Sequence, residues 1–208
     1  MESVLLHEAV SRLTQAASLA GLLNAAAFIC VLAVVAAVVN NFISARKVNV
    51  VKEQRSIVAT ASMSFFFIGF YLLIRLGLGQ FHLVSVWGSL GLRLAGLCLM
   101  TLGAIVNIRG RIELGQLWAN QVRIYSDHEL RSTGVFGIVR HPLYASLIWM
   151  GTGASLLYHN WASLIFLIVL FVPAMWYRAR LEERLLSERL PQYEDYRQRV
   201  AMFIPGIY

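Results

Sequence analysis

Two short stretches of this 208-residue chain contain most of the side chains that could do chemistry. The first is VRHPLY, which holds Arg140, His141, Pro142 and Tyr144. A proline suits the first turn of a helix, and that turn offers free backbone N–H groups and a partial positive charge. An anionic group such as a carboxylate would be favoured there. His141 could donate or accept a hydrogen bond near neutral pH.

The second stretch is RARLEE, from Arg178 to Glu183. Arg178 and Glu182 are four residues apart, so they share one face of a helix, and Arg180 and Glu183 are three apart on a neighbouring face. Each stretch also has a plainer interpretation. VRHPLY could be a basic membrane anchor followed by a helix start, and RARLEE could be a solvated helix whose exposed ion pairs contribute little.

The composition indicates that both stretches belong to a membrane protein. The chain is 58% hydrophobic and 14% charged, whereas soluble domains are about 45–50% apolar and about 25% charged. A spanning helix needs about 20 mostly apolar residues. We therefore predict an all-α integral membrane protein, a single membrane domain over residues 1–208, with five transmembrane helices. The predicted spans are residues 19–43, 56–78, 86–108, 143–158 and 161–177.

The basic residues predict an orientation in the bilayer. Fifteen of the 18 Lys and Arg residues fall in the loop after the first span, in residues 109–142 or after residue 177. Because cytoplasmic segments are enriched in Lys and Arg, we predict that these segments are cytoplasmic and that the N-terminus lies outside. The net charge of +7 is then an orientation signal, and we predict no nucleic-acid partner.

The last two spans should bring the two stretches together. Only "HN" separates these spans, which predicts a tight antiparallel hairpin. VRHPLY begins its first arm and RARLEE follows its second, so both reach one membrane face. We therefore predict that segments 109–142 and 178–208 are the cytoplasmic catalytic segments. Pro173 predicts a kink in the second arm, and Pro191 predicts that the following helix stops near Leu190.

Several other chemistries have no signature in the sequence. There is no Walker loop, GxGxxG, GxSxG or HExxH pattern, so phosphate cradling, a Rossmann nucleotide site and metal hydrolysis lack support. Cys30 and Cys98 lie within apolar blocks and match no metal or redox spacing. We predict no metal site.

Together the two stretches resemble the isoprenylcysteine carboxyl methyltransferase family, including its shorter prokaryotic members. The resemblance is carried by HELRSTGVFGIVRHPLYAS and, after the hairpin, by RARLEERLL with the YEDY tail. The family pattern is His-x-Leu, Gly-x-Tyr and Arg-His-Pro-x-Tyr, then Arg-x-x-x-Glu-Glu and Tyr-x-x-Tyr. Both halves occur in this order over about residues 115–205. The first three spans match in hydropathy only.

The resemblance implies S-adenosylmethionine as methyl donor, bound in a cytoplasmic cofactor pocket at the ends of the last helices. Its sulfonium supplies the reactivity, and the protein supplies alignment. The implied cofactor contacts are Gln121, His128, Glu129, Leu130, Arg131, Phe136, His141, Pro142, Leu143, Tyr144, Glu182 and Glu183. The candidate catalytic residues are Arg178 and Arg140, and Arg178 is implied to face the methyl acceptor. Trp149 and Trp176 are candidate acceptor contacts, with an interfacial aromatic belt as the alternative.

The resemblance leaves the identity of the methyl acceptor open. Phe136 stands where the family has a tyrosine, and Leu190-Pro191 replaces a Phe-Gly ahead of the tyrosine tail. We expect carboxyl O-methylation of an amphipathic or lipid-like acceptor, with a phospholipid amine or a small thiol as alternatives. An NADPH-dependent membrane reductase and a non-catalytic scaffold are alternatives of other classes. The expected location is the bacterial inner (plasma) membrane, with the lipid bilayer as partner.

Overall fold

The computed structural model describes residues 2–44, 50–54, 57–83, 85–115, 122–125 and 130–207. The helices are α1 (Glu2–Ser44), α2 (Ile57–Arg75), α3 (Val86–Leu114), α4 (Pro142–Leu157), α5 (Trp161–Phe166), α6 (Val172–Arg189) and α7 (Tyr193–Arg199). A short 3-10 helix, Gly134–Gly137, precedes α4. This confirms the predicted helical class.

The structure also contains a two-stranded ribbon that the sequence did not predict. Strand β1 (Val50–Gln54) follows α1, and strand β2 (Val122–Tyr125) follows α3. The strands pair antiparallel, with Glu53 opposite Arg123. The ribbon therefore joins the connection between the first two helices to the connection that leads to VRHPLY.

Three helical segments are long and apolar enough to cross a membrane in the part of the chain that the structure describes. They are Ser18–Ile43, Trp87–Leu114 and Trp161–Arg189, and they correspond to three of the five predicted spans. The protein is accordingly an integral membrane protein. The predicted span 56–78 corresponds to the 19-residue α2, and the span 143–158 to the 16-residue α4. That these two also cross the bilayer stays a prediction.

Helices α3 and α4 pack closely because small residues face each other. A Cβ on Gly96 would lie only 2.5 Å from the Gly153 carbonyl oxygen, and a Cβ on Gly153 only 2.5 Å from that of Gly96. Small residues allow this approach between membrane helices. Nearer the start of α4, the buried Asn107 side chain donates to Ser146 Oγ at 2.8 Å. The contact between Asn107 and Ser146 lies about one turn after Pro142 and fixes the position of the end of α4 that carries VRHPLY.

The turn between α4 and α5 is held by side-chain caps. The Asn160 carboxamide oxygen accepts from the Ser163 N–H at 2.8 Å, and its Nδ2 donates to the Leu73 carbonyl at 3.1 Å. His159 has a positive φ of 49°, a left-handed conformation that is uncommon outside glycine. The predicted hairpin thus has a rigid turn at the end opposite to VRHPLY.

The second arm of the hairpin is not a regular helix. A π-helical turn, Leu167–Phe171, separates α5 from α6, and Pro173 lies in the first turn of α6. Proline lacks an N–H, and its ring clashes with the carbonyl four residues before it. The wider π-helical turn accommodates both the missing N–H and the ring of Pro173. Helix α6 ends at Arg189, as Pro191 predicts.

Candidate active site

Just before α4 begins, the VRHPLY stretch pairs with the C-terminal segment, residues 190–207. The Arg140 N–H donates to the Ala201 carbonyl at 2.8 Å, and the His141 N–H donates to the Met202 carbonyl at 3.3 Å. His141 has a φ of −122° as the residue before the helix, and Pro142 starts α4. The predicted helix start is confirmed. The pairing with the C-terminal segment places the His141 ring beside α6.

Glu182 meets His141 and Tyr144 at the junction of α4 and α6. The Tyr144 hydroxyl donates to Glu182 Oε2 at 3.2 Å, and His141 Nδ1 lies 3.6 Å from the same oxygen. The His141 and Tyr144 rings stack with centroids 5.6 Å apart and an interplanar angle of 14°. The Glu182 side chain keeps 37% of its surface exposed. These three predicted residues therefore form one partly open polar cluster.

Glu183 is buried behind this cluster. Arg140 Nε donates to Glu183 Oε1 at 2.9 Å, and His141 Nε2 lies 3.2 Å from that oxygen. Arg140 Nη1 donates to the Arg197 carbonyl at 2.7 Å and to the Val200 carbonyl. The Glu183 and Arg140 side chains are only 2% and 6% exposed. The contacts join VRHPLY, α6 and the C-terminal segment.

The surroundings shift the pKa values of one histidine and two tyrosines near the cluster. Burial of His141 opposes its charged form, but hydrogen bonds and attraction to Glu182 and Glu183 outweigh it, so the pKa of His141 is raised above its ordinary value of 6.5. Burial, with nearby carboxylates, raises the pKa values of the Tyr193 and Tyr196 hydroxyls. Both tyrosines are therefore neutral, and the Tyr196 hydroxyl donates to the Phe136 carbonyl at 2.6 Å.

Arg178 lies on the other side of Tyr144. Its guanidinium carbon is 5.8 Å from the centre of the Tyr144 ring, and its Nη1 lies 3.2 Å from the sulfur of Met63 on α2. Arg178 thus connects α2, α4 and α6, and it belongs to the same neighbourhood as Glu182. This is the arrangement that the spacing and the hairpin predict.

The two tryptophans lie elsewhere. Trp176 is half exposed on α6, with the Arg180 guanidinium 5.4 Å from its ring, which also suits an interfacial belt. Trp149 lies along α4 beyond Tyr144 and is partly buried. Their role as acceptor contacts stays a prediction.

The remaining predicted cofactor contacts lie in the segment before α4 and in the first turn of α4. Phe136 is buried in the 3-10 helix, Leu130 is half buried and Arg131 is exposed. The Leu143 carbonyl accepts from Asn107 Nδ2 at 3.5 Å. Three further predicted contacts, Gln121, His128 and Glu129, lie outside the described residues.

The structure adds residues that the sequence reasoning missed. Asn107 and Arg111 form a buried polar pair on α3, with Arg111 Nε donating to Asn107 Oδ1 at 2.8 Å. Polar residues inside an apolar span are a functional signal by default, and that signal could have identified Asn107. Met63 could not have been identified in this way, because a methionine in an apolar span is typical of a hydrophobic core.

These features define a class of protein: a helical membrane protein with a polar cluster where α4 begins and where α6 continues beyond its apolar part. Residues 95–188 match the model of the isoprenylcysteine carboxyl methyltransferase (ICMT) family. The matched segment includes the cluster of His141, Tyr144, Arg178 and Glu182.

Individual relatives are similar over parts of their length. The chain is 37% identical over 83 residues to the protein-S-isoprenylcysteine O-methyltransferase of Saccharomyces cerevisiae (39% of this chain, 35% of that protein). It is 30% identical to the protein of that name from Tribolium castaneum (74% and 52%). It is also 30% identical to the nickel-cobalt-cadmium resistance protein NccN of Alcaligenes xylosoxydans xylosoxydans (65% and 60%).

A solved structure is also similar, that of the eukaryotic intramembrane Ras methyltransferase ICMT. It shares 25% identity and a TM-score of 0.49, over 74% of this chain and 54% of that chain. The chain spans about a third to three fifths of the length of these relatives.

Proposed function

We propose that the protein is an integral-membrane methyltransferase that uses S-adenosylmethionine and methylates a carboxylate on an amphipathic, lipid-like acceptor. The observation that supports this proposal is the meeting of His141, Tyr144, Arg178 and Glu182 within the family-matched segment. The names of the yeast and insect relatives, which are O-methyltransferases, support the reaction class.

The polar cluster fits the amino-acid part of this donor. That part carries an ammonium and a carboxylate. The partly exposed Glu182 carboxylate can accept charge-assisted hydrogen bonds from the ammonium, and the positive end of α4 favours the carboxylate. When bound, the donor would supply a methyl group activated by a sulfonium.

Arg178 supports an acidic acceptor. A guanidinium stays charged and binds a carboxylate through two parallel hydrogen bonds. The same positive charge would repel a cationic amine, which disfavours the phospholipid amine alternative. An acceptor carboxylate is already ionised near neutral pH, so no side chain has to remove a proton. Arg178, Tyr144 and Glu182 would then act by binding and aligning the two reactants.

The proposed location is a bacterial inner membrane, with the N-terminus outside and the cluster at the cytoplasmic surface. The support is the concentration of Lys and Arg in the segments around the cluster. An acceptor with a lipid tail could approach such a site from within the bilayer.

Binding and transfer measurements test the proposal. Calorimetry on detergent-purified protein should show binding of S-adenosylmethionine and none of NADPH, and NADPH binding would instead support the reductase alternative. Tritiated methyl should then pass to a prenylcysteine mimic, rather than to phospholipid amines or small thiols. A well-folded protein that does not bind S-adenosylmethionine would overturn the proposal.

A further inference from the structure

We propose that Glu183 and Arg140 are positioning residues that orient the His141 ring, and that neither touches the methyl donor or the acceptor. The inference rests on the proposed function of this site. It assigns different tasks to two adjacent glutamates: Glu182 binds the ligand, and Glu183 holds the histidine beside it.

The exposure of the two glutamates supports this division. Consecutive residues on a helix point about 100° apart, so Glu182 and Glu183 cannot face the same space. The Glu182 side chain is 37% exposed, whereas that of Glu183 is 2% exposed. Arg140 is 6% exposed. Glu182 is therefore the more accessible of the two carboxylates, whereas the Glu183 and Arg140 side chains are enclosed by the protein.

The contacts of Arg140 are directed at the protein itself. Its Nε donates to Glu183 Oε1 at 2.9 Å, and its Nη1 donates to the backbone carbonyls of Arg197 and Val200. We call this set the clasp: the side chains of Arg140 and Glu183 with those two carbonyls. A guanidinium held by a carboxylate and two carbonyls is fixed in place, and it fixes Glu183 in turn.

The clasp acts on one nitrogen of His141. Glu183 Oε1 lies 3.2 Å from Nε2, so Nδ1 is left on the side of Glu182, 3.6 Å from its Oε2. The ring is further confined by stacking on Tyr144 and by the edge-on contact with Phe203, whose centroid is 6.2 Å away. Because the partner of one ring nitrogen determines what the other presents, Glu183 determines that Nδ1 faces the ligand side.

A double-mutant cycle on donor binding separates positioning from direct contact. Glu183→Gln should weaken S-adenosylmethionine binding about threefold to tenfold in the wild-type background, and it should have no further effect in a His141→Gln background, because a residue that acts through another is not additive with it. Glu182→Gln should weaken binding in both backgrounds. Asp195→Asn, an exposed carboxylate on α7, is the matched control and should leave the affinity unchanged. Equal effects of Glu183→Gln in both backgrounds would overturn the proposal.

A second measurement does not need the donor. The ring protons of His141 can be followed by NMR in detergent micelles, with His141→Gln used to assign the signal among the five histidines. Glu183→Gln should lower the midpoint of the His141 titration, and an unchanged midpoint in a folded variant would overturn the proposal. Should Glu183→Gln unfold, Glu183→Asp replaces it, since the shorter side chain draws the carboxylate away from Nε2. If wild-type protein binds no donor, the proposed function fails while this titration still tests the clasp.

Discussion

At the scale of single residues, the charge of the site changes with the protonation of His141. Its ring lies between the carboxylates of Glu182 and Glu183, at 3.6 and 3.2 Å. The raised pKa of His141 means that the folded protein stabilises the imidazolium more than the unfolded chain does. The charged ring and the two carboxylates therefore stabilise one another, and this stabilisation depends on pH.

The stabilisation that His141 contributes should therefore change with pH. Because the folded pKa of His141 is raised, its contribution to stability is fully present below the ordinary value of 6.5, and it is lost as the pH rises through the folded pKa. The difference in thermal unfolding midpoint between wild type and His141→Gln should thus be largest below pH 6.5 and should decrease at higher pH. A difference that does not change with pH would contradict this prediction.

The role proposed for Arg178 depends on its planar guanidinium. Arg178→Lys keeps the charge but loses the planar pair of donors and the stacking on Tyr144. We expect the KM for a carboxylate acceptor to rise about tenfold, as for the loss of one good hydrogen bond to a charged group, with donor affinity unchanged. Arg184→Lys on the same helix is the matched control, because Arg184 is exposed. Similar kinetics of the two variants would exclude Arg178 as the acceptor-facing residue.

At the scale of elements, the position of α4 depends on how closely α3 and α4 approach each other. Gly96→Ala would place a methyl group 2.5 Å from the Gly153 carbonyl oxygen, which forces the two backbones apart. We expect a loss of about 1–3 kcal/mol in the free energy of unfolding, measured by denaturation in detergent. Gly91→Ala on the same helix has no neighbour within 4 Å and should be neutral or stabilising. A Gly96→Ala variant as stable as wild type would show that the helices adjust without cost.

The elements also show what the sequence could and could not predict. The start of α4 at Pro142 and the end of α6 before Pro191 follow from local restrictions that proline imposes on its neighbours. The hairpin follows from the two-residue gap between spans. The inward direction of Glu183 depends instead on Arg140 and on the carbonyls of Arg197 and Val200, which are distant in sequence. No local pattern encodes such contacts, so RARLEE alone could not distinguish its two glutamates.

At the scale of the whole molecule, the C-terminal segment is part of the site although it lies beyond the family-matched residues 95–188. It provides the carbonyl partners of the Arg140 and His141 backbones and of the Arg140 guanidinium. Truncation after Arg189 would remove these hydrogen bonds, which contribute about 0.5–1.5 kcal/mol each, and would leave Arg140 and His141 without the segment that holds them. We expect the truncated protein to insert into membranes through its long helices but to lose S-adenosylmethionine binding. Retained binding would show that the segment is dispensable.

The π-helical turn at Leu167–Phe171 has a consequence for the whole second arm of the hairpin. A turn of this kind accommodates one more residue than an α-helical turn, and each residue rotates a helix by about 100°. The turn therefore sets the rotational phase of α6 relative to α5. With one residue fewer in this turn, the sequence RARLEE would be unchanged, but Arg178 and Glu182 would face a different direction from α4. Apolar residues about two turns before Arg178 therefore determine the direction in which Arg178 and Glu182 face.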